Sequence, residues 1–304
     1  MTDRWHPSPR PVALVSCADK PDHEDDDAHL RAALLARGQP FVTVAWDEPA
    51  VDWAGFSAAL IRTTWDYHHR RAEFVAWAEA CAARTLLLNP PEIIRWNTDK
   101  RYLRQLEAAG LPLPETIWVE PDQDVDPVEV LRARGWGRGF MKPVIGANAV
   151  RTARFGPEDG SSAKEALRAA LREGAMMLQP YLDGVESVGE MSGLWIDGVY
   201  AHGVRKVPKA GDWRVQDDWG ARDEPYTLSA AENALGEAVI AVALAQLSDP
   251  GQPLLYARVD FLKDAAGQPQ LMELELVEPS LFLRHGPETA GRLAEALIRR
   301  LPRA

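Results

Sequence analysis

Apolar positions along the chain fall into short runs divided by polar, glycine- and proline-rich segments. In the first third, the runs Pro11 to Ser16, Phe41 to Trp46, Ala58 to Arg62 and Thr85 to Leu88 alternate with helical patterns. One helix ends at Gly38 and another covers Arg71 to Ala83. Strands alternating with helices predict a small open parallel sheet. Such sheets bind ligands beyond the carboxyl ends of their strands, which here are the loops Asp19 to Asp27 and Thr63 to Tyr67. Tandem Asn89-Pro90-Pro91 closes this unit.

Further on, Asn97 reads as the N-cap of a helix to Ala109, with Gly110 at its stop and Pro112 and Pro114 beyond. A strand at Thr116 to Val119, a helix at Pro127 to Arg134 and a strand at Phe140 to Ile145 follow. With a helix at Ser162 to Glu173 and a strand at Ala175 to Gln179, they predict a compact α+β lid. Long strands come next, including Glu190 to Trp195 and Tyr200 to Arg205. The box Ser229-x-x-Glu232 caps a helix, and a helix at Glu288 to Arg300 ends the pattern.

The hairpin from Tyr256 to Leu276 alternates most regularly. A turn on Ala266-Gly267 sets Asp260 opposite Glu273 and Arg258 opposite Glu275, with all four on one face. Val259, Phe261, Met272, Leu274 and Leu276 take the other face. Paired strand residues sit roughly 5 Å apart, where two carboxylates repel by about 3 kcal/mol at an effective dielectric near 20. A cation between them relieves this, and oxygen donors without His or Cys suit Mg²⁺. The plainer alternative is a solvated face with an Arg258–Glu275 ion pair.

Composition narrows the rest. The net charge of −11 and the lack of a Lys/Arg-rich tract argue against nucleic acid and anionic membranes. The two cysteines, Cys17 and Cys81, are far apart and imply a reducing compartment. With no signal-like or membrane-length apolar run, a cytoplasmic protein is expected. The sequence leaves a homo-oligomer open. Three further groups carry chemistry. Lys100, in the predicted first helical turn, and Lys142, in an apolar strand before Gly146-Ala147-Asn148-Ala149, can both meet phosphate. Arg205-Lys206, with Arg214 downstream, gathers cations at a strand end. Gln179-Pro180-Tyr181-Leu182 offers fixed backbone to an adenine edge, and Glu186 or Glu190 follows at a distance suited to ribose. Taken singly these are also a solvated lysine, an edge-strand lysine, a charged turn and a plain hinge. No P-loop, G-x-S-x-G elbow or H-E-x-x-H pair is present.

In this order the elements resemble the ATP-grasp superfamily of carboxylate–amine ligases over roughly Asn97 to Ser280. The resemblance implies an α/β (α+β) ATP-grasp fold in three parts. These are a parallel-sheet domain over 1–95, a lid over 113–182, and an antiparallel-sheet catalytic subdomain from 96–112 plus 183–304. It also implies ATP and two Mg²⁺ ions, the latter held by Asp260, Glu273 and Glu275. Lys100 and Lys142 would contact phosphate, Gln179, Tyr181 and Leu182 adenine, and Glu190 or Glu186 ribose. Arg205 and Lys206 would meet the phosphates, and Arg258 the reacting carboxyl group. Glu275 departs from the Asn common at that place and adds a negative charge.

Four motifs are most similar to the O-ureido-serine cyclo-ligases that close the D-cycloserine ring. They are Arg62-x-Thr64-Trp65-Asp66-Tyr67, Asn89-Pro90-Pro91, Gly211-Asp212-Trp213-Arg214-x-Gln216 and Glu278-Pro279-Ser280. That resemblance implies a small amino-acid-like substrate contacted by Arg62, Thr64, Asp66, Tyr67, Arg214, Gln216 and Ser280. The alternatives are a two-substrate ligase of glutathione-synthetase or dipeptide-ligase type, and a nucleotide-binding regulatory protein without catalysis.

Overall fold

In the computed structural model, which describes residues 7–19, 25–249 and 251–302, three sheets surround one cleft. The first contains β1 (Val12–Ser16), α1 (Asp25–Ala36), β2 (Phe41–Ala45), β3 (Ala58–Thr63), α2 (Arg71–Ala82) and β4 (Leu86–Leu88). Its four strands are parallel in the order β2-β1-β3-β4. β1 and β3 are buried throughout, as central parallel strands covered on both faces must be. Residues 20–24 of the predicted acidic loop lie outside the described residues.

The predicted helix from Asn97 to Ala109 is replaced by two short helices, α3 (Pro91–Asn97) and α4 (Tyr102–Ala108). Pro91 starts α3, where a missing N–H costs nothing. Asn97 therefore ends a helix instead of capping one, and Lys100 lies in the turn between helices. Asn97 turns its amide to the sheet: Nδ2 donates to the Leu274 carbonyl at 2.8 Å and Oδ1 accepts from Leu276 N–H at 2.8 Å.

The lid sheet combines β5 (Ile117–Val119), α5 (Pro127–Arg134), β6 (Gly139–Pro143), β7 (Ala153–Phe155), α6 (Gly160–Leu171) and β8 (Met176–Pro180). It is antiparallel in the order β5-β8-β6-β7. Asp126 caps α5 through Val128 N–H at 2.9 Å, and Gly135 ends it at φ 67°. After α7 (Gly184–Ser187), the large sheet is built from β9 (Glu190–Ile196), β10 (Val199–Val207), β11 (Arg222–Tyr226), β12 (Tyr256–Lys263) and β13 (Pro269–Glu275). Its antiparallel order is β11-β10-β9-β12-β13. Helix α8 (Ala230–Leu244) carries the predicted capping box, and α9 (Pro287–Arg300) packs on α1. Leu293 and Leu297 of α9 join Leu30 and Leu34 of α1 to Leu194 and Ile196 of β9 in one core. Among the described residues no helix is long and apolar enough to cross a membrane.

The β12–β13 register is Arg258↔Glu275 and Asp260↔Glu273, as the alternation predicts. A bulge follows, so Phe261 pairs with Leu271. It reverses the expected side of Met272: Leu271 enters the core and Met272 lines the cleft. β13 is an edge strand, and its outer backbone is closed by side chains. Tyr102 Oη donates to the Leu274 carbonyl at 3.0 Å and accepts from Leu274 N–H at 2.8 Å. Asn89 Nδ2 donates to the Leu276 carbonyl at 2.9 Å. Asn97→Ala should cost about 1–3 kcal/mol, because the Leu276 N–H loses its buried partner while the Leu274 carbonyl keeps the Tyr102 hydroxyl. Urea unfolding of the variant beside the parent chain measures it.

Candidate active site

The cleft encloses about 260 Å³ between the lid and the large sheet. Lys142 of β6 and Gln179 to Leu182 form the roof, β12 and β13 the floor, and Trp65, Tyr67, Glu278 and Ser280 one end. Four strands deliver a row of charge because their registers align. Asp260 stands beside Ser192 on one side and Glu273 on the other, and Lys206 pairs across with Glu190.

Arg258 donates to Asp260 twice, from Nε and Nη2 at 3.0 Å each, and also to Glu275. Ser192 Oγ donates to Asp260 Oδ1 at 2.5 Å, and Lys206 Nζ reaches Asp260 at 3.2 Å and Glu190 at 2.5 Å. Lys100 Nζ lies 3.0 Å from Glu273 and 2.8 Å from the Gly146 carbonyl. Burial opposes ionisation of Asp260, but Arg258 and Lys206 outweigh it and hold this carboxyl well below its usual range. Burial likewise opposes charge on Arg258, yet Asp260 and Glu275 keep the guanidinium protonated. Glu273 is lowered because Lys100 and Lys142 overcome burial, whereas burial pushes Glu275 up to about 7. For Lys142, burial lowers the ammonium pKa.

Sequence-predicted residues divide between the cavity and its supports. Lys100, Lys142, Gln179, Tyr181, Leu182, Glu190, Lys206, Arg214, Gln216, Arg258, Asp260, Glu273, Glu275, Ser280 and Tyr67 line the cavity. Arg205 does not: successive strand residues face opposite sides, and it pairs with Glu224 behind the sheet. Glu186 binds Arg154 at 2.9 Å and the Tyr181 hydroxyl at 2.5 Å, off the cavity wall. Asp66 accepts from Trp46 Nε1 and Arg70, both at 2.9 Å, inside the first sheet's unit. Thr64 is wholly buried. Arg62 is paired with Asp27 at 2.9 Å and donates to the Pro279 carbonyl at 3.2 Å.

Arg62 thereby belongs to a set that fixes the segment after β13. Tyr256 Oη holds the Val277 carbonyl at 2.7 Å, Trp65 Nε1 that of Glu278 at 3.0 Å, and Arg258 Nη1 that of Ser280 at 3.2 Å. Four successive carbonyls are each bound by a different side chain. The segment presents Glu278, which sequence reasoning passed over although it stands in the quoted Glu278-Pro279-Ser280. Burial, and then Glu275, push its carboxyl up to about 8. Trp65 and Trp213, quoted within the motifs but given no contact role, also line the cavity, as does Phe282.

Among the described residues no three His, Cys, Asp or Glu side chains converge on a common ion position. Both oxygens of Asp260 are taken by Ser192, Arg258 and Lys206. Glu273 and Glu275 are the more open carboxylates, and Mg²⁺ commonly takes one or two carboxylates with substrate phosphates completing its shell. The donor set therefore fits a nucleotide-borne Mg²⁺. A roof loop completes the cavity: Trp219 Nε1 donates to the Asn148 carbonyl at 3.2 Å, and Arg214 lies 3.5 Å over the Trp219 ring.

This architecture matches known proteins along nearly its whole length. Residues 12–89 match the family described as "D-cycloserine synthetase DcsG, N-terminal domain". The cycloserine biosynthesis protein DcsG of Streptomyces lavendulae is 34% identical over 299 residues, covering 95% of this chain and 98% of that protein. The crystal structure of D-cycloserine synthetase DcsG superposes with a TM-score of 0.86 at 31% identity, covering 96% of this chain and 99% of that one. The ATP-grasp ligase PsnB, solved with a phosphomimetic precursor variant, Mg and ADP, shares the fold at a TM-score of 0.63 and 20% identity, covering 95% and 97%.

The raised carboxyl of Glu278 sets a pH dependence. It keeps its proton in the folded chain where the unfolded chain, at the ordinary 4.5, has lost it. Its contribution to stability is full below about 4.5 and lost as pH rises through about 8. Glu278→Gln should therefore raise the melting temperature relative to the parent at pH 8.5 and change it little at pH 4.5, measured by calorimetry at both values.

Proposed function

Because the chain belongs to the D-cycloserine synthetase (DcsG) family of ATP-grasp ligases, we propose that it activates an amino-acid carboxylate with ATP and closes a C–N bond within the same molecule. The observation carrying this reading is the buried Arg258–Asp260–Lys206 network beside Lys100 and Lys142, in a cleft walled by both lid and sheet.

In this reading Lys142 and Lys100 bind the triphosphate, Gln179 to Leu182 hold the base, and Lys206 and Arg258 face the reacting groups. Glu273 and Glu275, with Asp260 behind them, would hold magnesium, taken as two ions. Bound magnesium would withdraw charge from the phosphate oxygens. A substrate carboxylate oxygen attacks the γ-phosphorus and ADP leaves. The substrate's own nitrogen then attacks the acyl carbon, phosphate departs and the nitrogen gives up a proton. Arg258 stabilises the oxyanion between these steps. An O-ureido nitrogen still carries one hydrogen to give up, so it can close the ring directly, its carbamoyl group then leaving by hydrolysis as carbon dioxide and ammonia; a free aminooxy group closes the ring with loss of water alone. Holding both ends of one small molecule supplies the proximity advantage, and the lid with the Trp219–Asn148 contact keeps water from the acyl phosphate.

The three sheets serve as three domains, bounded at 1–95, 113–182, and 96–112 with 183–304, and substrates meet between them. A small-molecule enzyme with two buried, unpaired cysteines suits the cytoplasm.

An aminooxy amino acid supplied with Mg–ATP and no second nucleophile should yield ADP and a product lighter than the substrate by one water, read by mass spectrometry. ADP release that requires a second amine would replace ring closure with a two-substrate ligation. Glu273→Gln should lower ADP release by at least about a hundredfold with little change in melting temperature; retained turnover would remove Glu273 from the metal and phosphate machinery.

A further inference from the structure

Glu278 is a carboxylate of this cavity wall that makes no ion pair among the described residues, although Lys100 acts on it at longer range; Asp218 is another wall acid, bonded to the Asn148 amide. Glu190 and Asp260 meet Lys206, Asp260 and Glu275 meet Arg258, and Glu273 meets Lys100. Glu278 has instead the phenol of Tyr67, which hydrogen-bonds to it. A half-buried carboxylate costs free energy unless it is paired, and the backbone that carries this one is held in place. Its own carbonyl is fixed by Trp65, and the carbonyls on either side by Tyr256 and Arg62. Trp65 and Tyr67 bring aromatic surface to the same end of the cavity. An acid beside aromatic rings is the chemistry that recognises an organic cation. Ser280, whose carbonyl Arg258 holds, lies two residues beyond.

We propose that Glu278, with Trp65 and Tyr67, binds the α-ammonium group of the substrate and thereby turns the substrate's carboxyl group toward Arg258. This assigns a substrate-binding residue and a requirement for an amino acid over a hydroxy acid. It rests on the reading of the cavity as an amino-acid-activating site, but not on ring closure. This acid also gives the cavity polarity along its length. Cations gather under the lid where phosphates bind, and a carboxyl group without a salt bridge lies at the end formed by the first sheet.

The test is calorimetric titration of the full chain, in Mg–ADP, with D-serine, L-serine and D-glycerate. The parent should bind one serine enantiomer at least about tenfold more tightly than glycerate, the size expected for a charge-assisted hydrogen bond. Glu278→Gln should bring the two within about twofold while its affinity for ADP stays unchanged. Tyr67→Phe should reduce the preference several-fold and gives a second route should the Gln variant fold poorly. A Gln variant that keeps the preference, or a parent that shows none, overturns the proposal. The product assay above separates the two readings. A parent that prefers serine but forms no cyclic product sinks ring closure and supports the clamp. Product formed with the preference intact in Glu278→Gln sinks the clamp alone.

Discussion

One guanidinium organises the centre of this molecule. Arg258 is 7% exposed and bonds two carboxylates on neighbouring strands and the carbonyl of Ser280. Removing any of these partners would leave charge without compensation where water is scarce. The strand register is thus tied to the chemistry: a one-residue slip of β13 would move Glu273 and Glu275 to the core face. Lys206 extends the network to β10, and Lys100 ties it to the turn before α4. The lid is positioned over a lattice of charge that the large sheet already holds in place.

Burying this much charge is poor economy for stability alone. Glu275 and Glu278 have raised carboxyl pKa values, Lys142 a lowered one, and all three line the same cavity. Such shifts gather where binding, not folding, sets the demand. A triphosphate would supply the charge that Lys142 lacks, and an ammonium that which Glu278 lacks. Domain closure on both ligands would complete pairings left open in the free protein.

Much of this was legible in the sequence because it follows from short-range pattern. Period-two alternation and a turn on Ala266-Gly267 gave the Asp260–Glu273 pairing. Other features depend on which neighbour a strand meets. Arg205 and Lys206 are adjacent, so only the pairing of β10 with β9 decides which of them faces the cleft. The bulge at Met272 has no glycine to announce it. Asn97 misled because the amide that suits an N-cap equally suits a strand's free backbone, and the second use prevailed. Glu278 lies beyond the last residue of β13, where no periodicity places it, and its role emerges only from the side chains of Trp65, Arg62 and Tyr256 that hold its segment. Asp66 and Arg62 were read in a loop motif as contacts, whereas their partners make them supports.

The closed margin of β13 has a bearing on what can reach the carboxylates. Leu274 and Leu276 have their outward N–H and carbonyl groups occupied by Asn89, Asn97 and Tyr102, and Leu271 N–H donates to the Pro112 carbonyl at 2.8 Å. An extended polypeptide therefore finds no ladder there to lengthen, and β-augmentation is barred at the border nearest the reacting groups. Whatever reaches these carboxylates thus enters by the mouth of the cleft and not by pairing with the sheet edge.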